Sequence, residues 1–243
     1  MHRFLVSTEI LAEEQPRLPR SAERHMKVLR LERREPVELF DGHGRTRRYV
    51  WDGGSLVADG DMRSFSSPVG RIALFACVTK GSRWDWTIEK AVELGVDSIV
   101  PVISDRSIVR LPKPERAAKA ERWRRIAEDA ARQSDAVWLP EICAAVDFPE
   151  ALAMARRAQS VFVGALVSPP APPILEAVRT ASSSGDNAVF IGPEGDFTPA
   201  ELTSLLEFAK PVSLGPTILR AETAAIFAVS ILAAHRDSMC DSR

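Results

Sequence analysis

The chain has 243 residues, 45% hydrophobic and 27% charged, with a formal net charge of -1. That is enough apolar material for one large core or two modest ones, and it excludes a global polycation, so any nucleic-acid binding has to come from local patches. No stretch approaches the roughly 20 apolar residues that a bilayer-spanning helix needs, and MHRFLVSTEILAEEQ is charged too early for a secretory signal, so a cytoplasmic protein is expected. Cys77, Cys143 and Cys240 stand far apart, and neither they nor the four histidines fall at zinc-ligand spacing; reduced cysteines and no metal are expected.

From Met1 to about Pro68 the sequence runs in short alternating stretches: RFLV, PVELFDGHG and RRYVWDGGSLVADG. Apolar residues at period two with Asp-Gly and Gly-Gly punctuation predict a small antiparallel β structure. SAERHMKVLRLE interrupts it with a helix expected to start at a Ser N-cap, Ser21, followed by Glu23. RSFSSPVG, residues 63–70, is rich in Ser, Pro and Gly and reads as a linker.

Beyond the linker the pattern changes. RIALFACVTK is a continuous apolar run, as a strand covered on both faces requires. SRWDWTIEKAVELG follows with Trp84, Ile88, Ala91 and Val92 on one helical stripe, read as packing, and Gly95 at its C-terminal cap. SIVPVI completes a βαβ unit. PERAAKAERWRRIAEDAARQS is a long amphipathic helix, FPEALAMARRA a second helix, and SVFVGAL, NAVFIG and PVSLG are short strands separated by helical stretches. Such alternation predicts a three-layer α/β domain with a mainly parallel sheet over about residues 71–243. The apolar last helix, AAIFAVSILAA, is too short to cross a membrane and fits burial or a subunit interface.

Ligands of open parallel sheets sit beyond the carboxyl ends of the strands. Two stretches place glycine there: FIGPEGDFTPAEL at 190–202 and VSLGPTILRAETAAIFAVSIL at 212–232. The first ends in Thr198-Pro199-Ala200-Glu201, a capping box with proline at the first helical position. Glycines 192 and 195 let main-chain atoms approach a ligand, and Pro193 stiffens the turn. A tight strand-to-helix turn fits the same residues, but two such loops in one small domain favour a shared pocket. With no Gly-x-x-x-x-Gly-Lys-Ser/Thr and no Gly-x-Gly-x-x-Gly after the first strand, triphosphates and dinucleotides lose their usual cradle. A nucleoside-like ligand fits better.

HRFLV at 2–6, HMKVLRL at 25–31, VELFDGHG at 37–44, KGSRWDWTIEKAVELGVDSIVPVISDRSIV at 80–109, AARQS at 130–134, IGPEGDFTPAEL at 191–202 and LGPTILRAETAA at 214–225 together resemble the RsmE family of 16S ribosomal RNA uridine N3-methyltransferases, of the SPOUT superfamily. The resemblance covers nearly the whole chain in the family's order. It implies a PUA-like RNA-binding β-barrel over residues 1–68 and a SPOUT α/β methyltransferase domain over 71–243 with a C-terminal trefoil knot. It also implies S-adenosylmethionine as cofactor, a homodimer as the active unit, and 16S ribosomal RNA or the 30S subunit as partner. The cofactor loops it implies are Ile191, Gly192, Pro193, Glu194 and Gly195, then Leu214, Gly215, Ile218 and Leu219. This chain departs from the family's pattern at Asp196, at Pro216-Thr217 and at Asp135-Ala136, which removes positive charge near the RNA face.

Methyl transfer to uridine N3 is chiefly a matter of positioning, with negative charge developing on the flanking carbonyl oxygens, where a cation helps. Arg220 is the expected cation and Glu222 the group that orients it or assists proton removal, against the alternative that both form the charged first turn of the last helix. Between Arg17 and Arg48 ten Lys/Arg face five acids, and Arg3, Arg24, Lys27 and Arg30 are the expected RNA contacts, against the alternative of a solvated charged face. Other functional classes for the chain are a non-catalytic RNA-binding or assembly protein with a decayed pocket, and a nicotinamide oxidoreductase, the latter weakened by the missing glycine fingerprint.

Overall fold

The computed structural model describes residues 1–181 and 185–240; the side chains of Ser21, His25, Lys27, Met239 and Cys240 lie outside that description. The chain forms two compact units. One comprises Met1–Ser67 with Glu128–Leu139, the other Pro68–Ala127 with Pro140–Arg243.

The first unit contains β1 (His2–Leu5), α1 (Thr8–Ala12), α2 (Arg20–Leu29), β2 (Pro36–Phe40), β3 (Arg45–Trp51), β4 (Leu56–Ala58) and β5 (Arg63–Ser64). Its sheet runs β1-β2-β3-β4 with β5 also on β3. The predicted antiparallel pairing holds for β2–β3, β3–β4 and β3–β5, but β1 pairs with β2 in parallel. Parallel neighbours need a long crossover, and the two helices between β1 and β2 supply it. Phe4, Leu11, Val37, Leu39 and Tyr49 fill the core. The Tyr49 hydroxyl donates to the Leu11 carbonyl at 2.7 Å, which lets a polar tip be buried.

Three local expectations change here. The helix α2 starts at Arg20 with Pro19 as N-cap, not at Ser21: Pro19 holds φ at -57° and its carbonyl accepts the first helical bond, from Glu23 N. The stretch 63–70 is not all linker, because Arg63–Ser64 adds to β3 and Phe65 N donates to the Gly44 carbonyl at 2.8 Å. Finally, Glu128–Leu139 belongs with the N-terminal residues, so the second unit is not one continuous stretch. Arg3 Nη1 donates to the carbonyls of Ala131 and Ala136, and Leu139 N to that of Gly42. Those bonds tie the returning segment down.

The second unit contains β6 (Ile72–Cys77), α3 (Ser82–Glu93), β7 (Ser98–Ile103), α4 (Lys113–Gln133, whose last turns from Glu128 belong to the first unit), β8 (Glu141–Ile142), β9 (Val146–Asp147), α5 (Phe148–Ala155), β10 (Ser160–Gly164), α6 (Ile174–Arg179), β11 (Asn187–Ile191), α7 (Pro199–Leu206), β12 (Lys210–Val212) and α8 (Ala221–Cys240). Every pairing in its sheet is parallel, in the order β12-β10-β11-β6-β7-β8 with β9 on β7. The strands β11 and β6 are buried along nearly their whole length, which is why NAVFI and IALFAC are apolar without alternation. Phe75 and Phe190 stack at 4.8 Å, and Phe197 packs edge-on against Phe190 at 6.5 Å. Helix α8 packs on β6 and β11 and against α3 and α6.

Helix boundaries follow from local chemistry. Gly95 at φ 79° closes α3: its N–H donates to the Val92 carbonyl and Val96 N to that of Ala91, using two carbonyls the helix end leaves over. At α7 the predicted capping box is present, with Thr198 Oγ1 accepting from Glu201 N and Glu201 Oε2 from Thr198 N at 2.8 Å. The other oxygen of buried Glu201 accepts from Asp105 N, joining the loop after β7 to this corner.

Candidate functional site

The order of the sheet brings the carboxyl ends of β10, β11 and β12 side by side, because β11 is inserted between β10 and β6 while β12 lies on the far side of β10. Beyond those ends the two glycine corners meet. Ile191, Gly192, Pro193 and Glu194 line one cleft with Leu214, Gly215, Ile218 and Leu219. Gly164, the last residue of β10, contributes a third wall that the sequence reading did not single out. The signal was present: SVFVG ends an apolar run on glycine, as FIG and SLG do. A Cβ at Gly164 would lie 3.0 Å from Leu214 and 3.3 Å from Ile191, so its absence lets the three walls close together.

The glycines of the corners differ in purpose. Gly215 has φ 126° and open space where a Cβ would be, so the backbone there needs glycine and stands bare toward the cleft. Gly192 was expected to admit a ligand, yet a Cβ on it would meet Asp196 Oδ1 at 3.0 Å and the Phe197 ring at 3.3 Å; its smallness serves the packing of the corner. Gly195 is not among the lining residues. It faces the Arg106 side chain, and its carbonyl accepts from Arg106 Nη1 at 2.9 Å. Between them Asp196 N donates to the Pro193 carbonyl at 2.9 Å and closes the turn.

Asp196 sits at φ 58°, in the left-handed region, and its own Oδ1 accepts from Phe197 N at 2.7 Å. Asp tolerates that conformation through such local bonds. The departure at 196 therefore leaves the corner intact.

Arg220 is exposed in the residue position before α8, where its carbonyl accepts from Ala224 N at 2.8 Å. Glu222, in the first turn, is 9% exposed. Neither is among the lining residues, though Leu219, Ala221 and Ala224 beside them are. The expected partnership of Glu222 with Arg220 is not what the side chains make: Glu222 Oε1 lies 3.9 Å from Arg83 Nε, and its buried Oε2 has no hydrogen-bond partner. Arg83 also reaches Glu194, at 3.5 Å. It bridges Glu194, which lines the cleft together with Asp196, and the buried Glu222, a role the sequence reading missed although Arg83 stands in the quoted KGSRWDW stretch.

The expected RNA contacts do not gather in one place. Arg3 is 4% exposed, bonded to Glu38 at 2.7 Å and stacked over Phe40 at 4.4 Å, so it is a structural tie in the first unit and not a free phosphate contact. Arg24 is exposed on α2. Arg30 lines a mixed hollow with Arg17, Glu23, Leu18, Met26 and Trp51, and the Lys27 side chain lies outside the described residues. Cys77 and Cys143 are free thiols, both pushed up to about 11 by burial. Among the described residues no group of His, Cys, Asp or Glu is placed to hold a metal, and no helix is long and apolar enough to cross a membrane.

Residues 66–233 match the family model of the RNA methyltransferase domain. A ribosomal RNA small subunit methyltransferase E from Bacillus subtilis is 31% identical, over 67% of this chain and 65% of its own length, so the match spans just under two thirds of that relative. The protein of the same name from Synechocystis is 27% identical over 98% of this chain and 78% of its own. Among solved structures, a ribosomal RNA small subunit methyltransferase E from Neisseria gonorrhoeae bound to S-adenosyl methionine has a TM-score of 0.83 at 29% identity, covering 96% of this chain and 97% of that one. A Legionella pneumophila methyltransferase in complex with the bound cofactor SAM has a TM-score of 0.82 at 27% identity, covering 96% of each.

Proposed function

We propose that this chain, which belongs to the RNA methyltransferase domain family, is an S-adenosylmethionine-dependent methyltransferase of small-subunit ribosomal RNA, with uridine N3 as the acceptor. The observation that carries the reading is the convergence of three strand ends on one cleft. Apolar walls from Ile191, Leu214 and Leu219 beside the bare backbone of Gly215 suit a nucleoside base and ribose, and no phosphate loop is needed. The relatives named above, two of them with this cofactor bound, support the same ligand.

When bound, the cofactor supplies an electrophilic methyl group. The chain's part is to hold, orient and neutralise. The corners 191–194 and 214–219 would grip the cofactor, with Glu194 fixed by Arg83. Arg220 would meet the target base and offset the negative charge that spreads over its carbonyl oxygens as the N3 proton is lost. Glu222, buried with one oxygen unpartnered, would position that region or take the proton.

The same reading carries a C-terminal trefoil knot formed by the 213–220 loop and α8, a PUA-like first unit, and a homodimer. Exposed Trp86 on α3 and Phe227 on α8, two helices that pack together, support the last of these. Arg220→Ala is expected to leave the heat of S-adenosylmethionine binding in calorimetry nearly unchanged while methylation of 30S subunits falls at least 100-fold. Unchanged turnover would remove Arg220 from the mechanism. Wild-type protein with no saturable cofactor heat would remove the enzyme reading itself, and mass spectrometry of the modified RNA identifies the acceptor atom.

A further inference from the structure

The first unit carries a second cleft, apart from the hollow beside α2, and the pairing of its strands explains how it arises. Arg3, Glu38 and Arg48 are direct neighbours across β1, β2 and β3, and Phe40, Thr46 and Arg63 form the next row, across β2, β3 and β5. Side chains at such positions share one face of a sheet. Arg48 and Arg63 therefore stand on the same side, and both are exposed. Phe65, 44% exposed, follows them, and Arg132 with Asp135 comes from the returning segment that Arg3 ties down.

Charge in this cleft is unbalanced. Its lining holds Arg3, Arg48, Arg63 and Arg132 against Glu38 and Asp135. Glu38 is taken up by Arg3 at 2.7 Å, Asp135 lies 3.5 Å from the same guanidinium, and Asp129 takes Arg132 at 2.7 Å. Among the described residues, neither acid of the lining is ion-paired with Arg48 or Arg63. The buried Arg3 Nη2 and Arg132 Nε have no hydrogen-bond partner, so donors remain over on the floor as well as the rim. A half-exposed phenyl ring among guanidinium groups is what a single-stranded polynucleotide uses: cations for successive phosphates and a flat apolar face for one base.

We propose that this cleft is the site where the first unit holds single-stranded RNA, with Arg48 and Arg63 on adjacent phosphates and one base stacked on Phe65. The assignment rests on the RNA-methyltransferase reading above and moves the RNA contact from α2 and its C-cap, where Arg24 and Arg30 stand, to the β3–β5 face. Double-stranded RNA fits it less well, since a stacked base must be out of its helix.

The test is fluorescence anisotropy of the full chain with a labelled ten-nucleotide single-stranded RNA at several salt concentrations, beside calorimetry with S-adenosylmethionine. R48A/R63A is expected to weaken RNA binding at least tenfold and to flatten the log–log salt dependence by about 1.4, or about 0.7 for each lost phosphate contact. R48K/R63K should restore the slope. Phe65→Ala should weaken binding about tenfold with the slope unchanged, because stacking releases no counterions. Cofactor heat should be the same in all variants. Wild-type affinity and slope in R48A/R63A would overturn the proposal, as would wild-type protein that binds only duplex RNA. If the wild type binds RNA as expected but gives no cofactor heat, the cleft stands and the methyltransferase reading is what fails.

Discussion

Asp196 and Asp135, two positions at which the chain departs from the family it resembles, both adopt left-handed backbone, at φ 58° and 57°. Read from sequence, the two changes look like lost function. Their backbone angles account for the aspartates, since Asp is one of the few side chains that this conformation accepts. Asp196→Gly should then leave stability within about 0.5 kcal/mol, whereas Asp196→Ala, which keeps the strain and loses the bond to Phe197 N, should cost about 1–2 kcal/mol. Urea midpoints measure both. Equal midpoints for the alanine variant and the wild type would show that the turn does not depend on this angle.

Among the elements, the joint between α4 and α5 is held by charge. Asp147 is the N-cap of α5, yet its side chain caps nothing in that helix; it accepts from Arg116 on α4, with Lys113 Nζ 3.9 Å away. The Arg116 hydrogen bond, foremost, holds the Asp147 carboxyl below its ordinary value of 3.8. A carboxyl with a lower pKa folded than unfolded contributes stability that is complete above the unfolded value and is lost as pH falls through the folded one. Asp147→Asn should therefore melt below the wild type at pH 6, and the gap in Tm should close as pH drops under about 3.8. A gap that stays constant however far the pH is taken below 3.8 would mean that packing, and not the ion pair, is what the substitution disturbs. The capping box at Thr198, by contrast, was fully legible in advance, because a cap is made by residues three apart and needs no distant partner.

At the scale of the molecule, the core of the second unit is organised around Phe190, which is fully buried between Phe75 and Phe197. Phe190→Ala should cost about 3–5 kcal/mol. Because β11 ends at the cleft one residue later, cofactor affinity should fall with it even below the melting transition, as calorimetry would register. Intact affinity in a destabilised variant would show that the corner is held by its own turn and cap, independent of the strand beneath. The chain divides between Ser67 and Pro68, inside a stretch rich in Ser and Pro, whereas the return of Glu128–Leu139 to the first unit depends on Arg3 bonding carbonyls 128 and 133 positions away. Nothing in the local sequence of α4 marks the place where the chain passes from one unit to the other.

What the sequence determined by itself is what neighbouring residues can enforce: apolar runs for covered strands, a capping box, a glycine where φ is positive, and the family resemblance those motifs carry together. Only the tertiary structure decided which strand ends would meet. It added Gly164 to the cleft, withdrew Gly195 from its lining, turned Glu222 toward Arg83 and buried Arg3 as a tie. The physical reason is that strand order in a parallel sheet, and the partner of a long charged side chain, are set by packing between segments far apart in the chain, which no local pattern encodes.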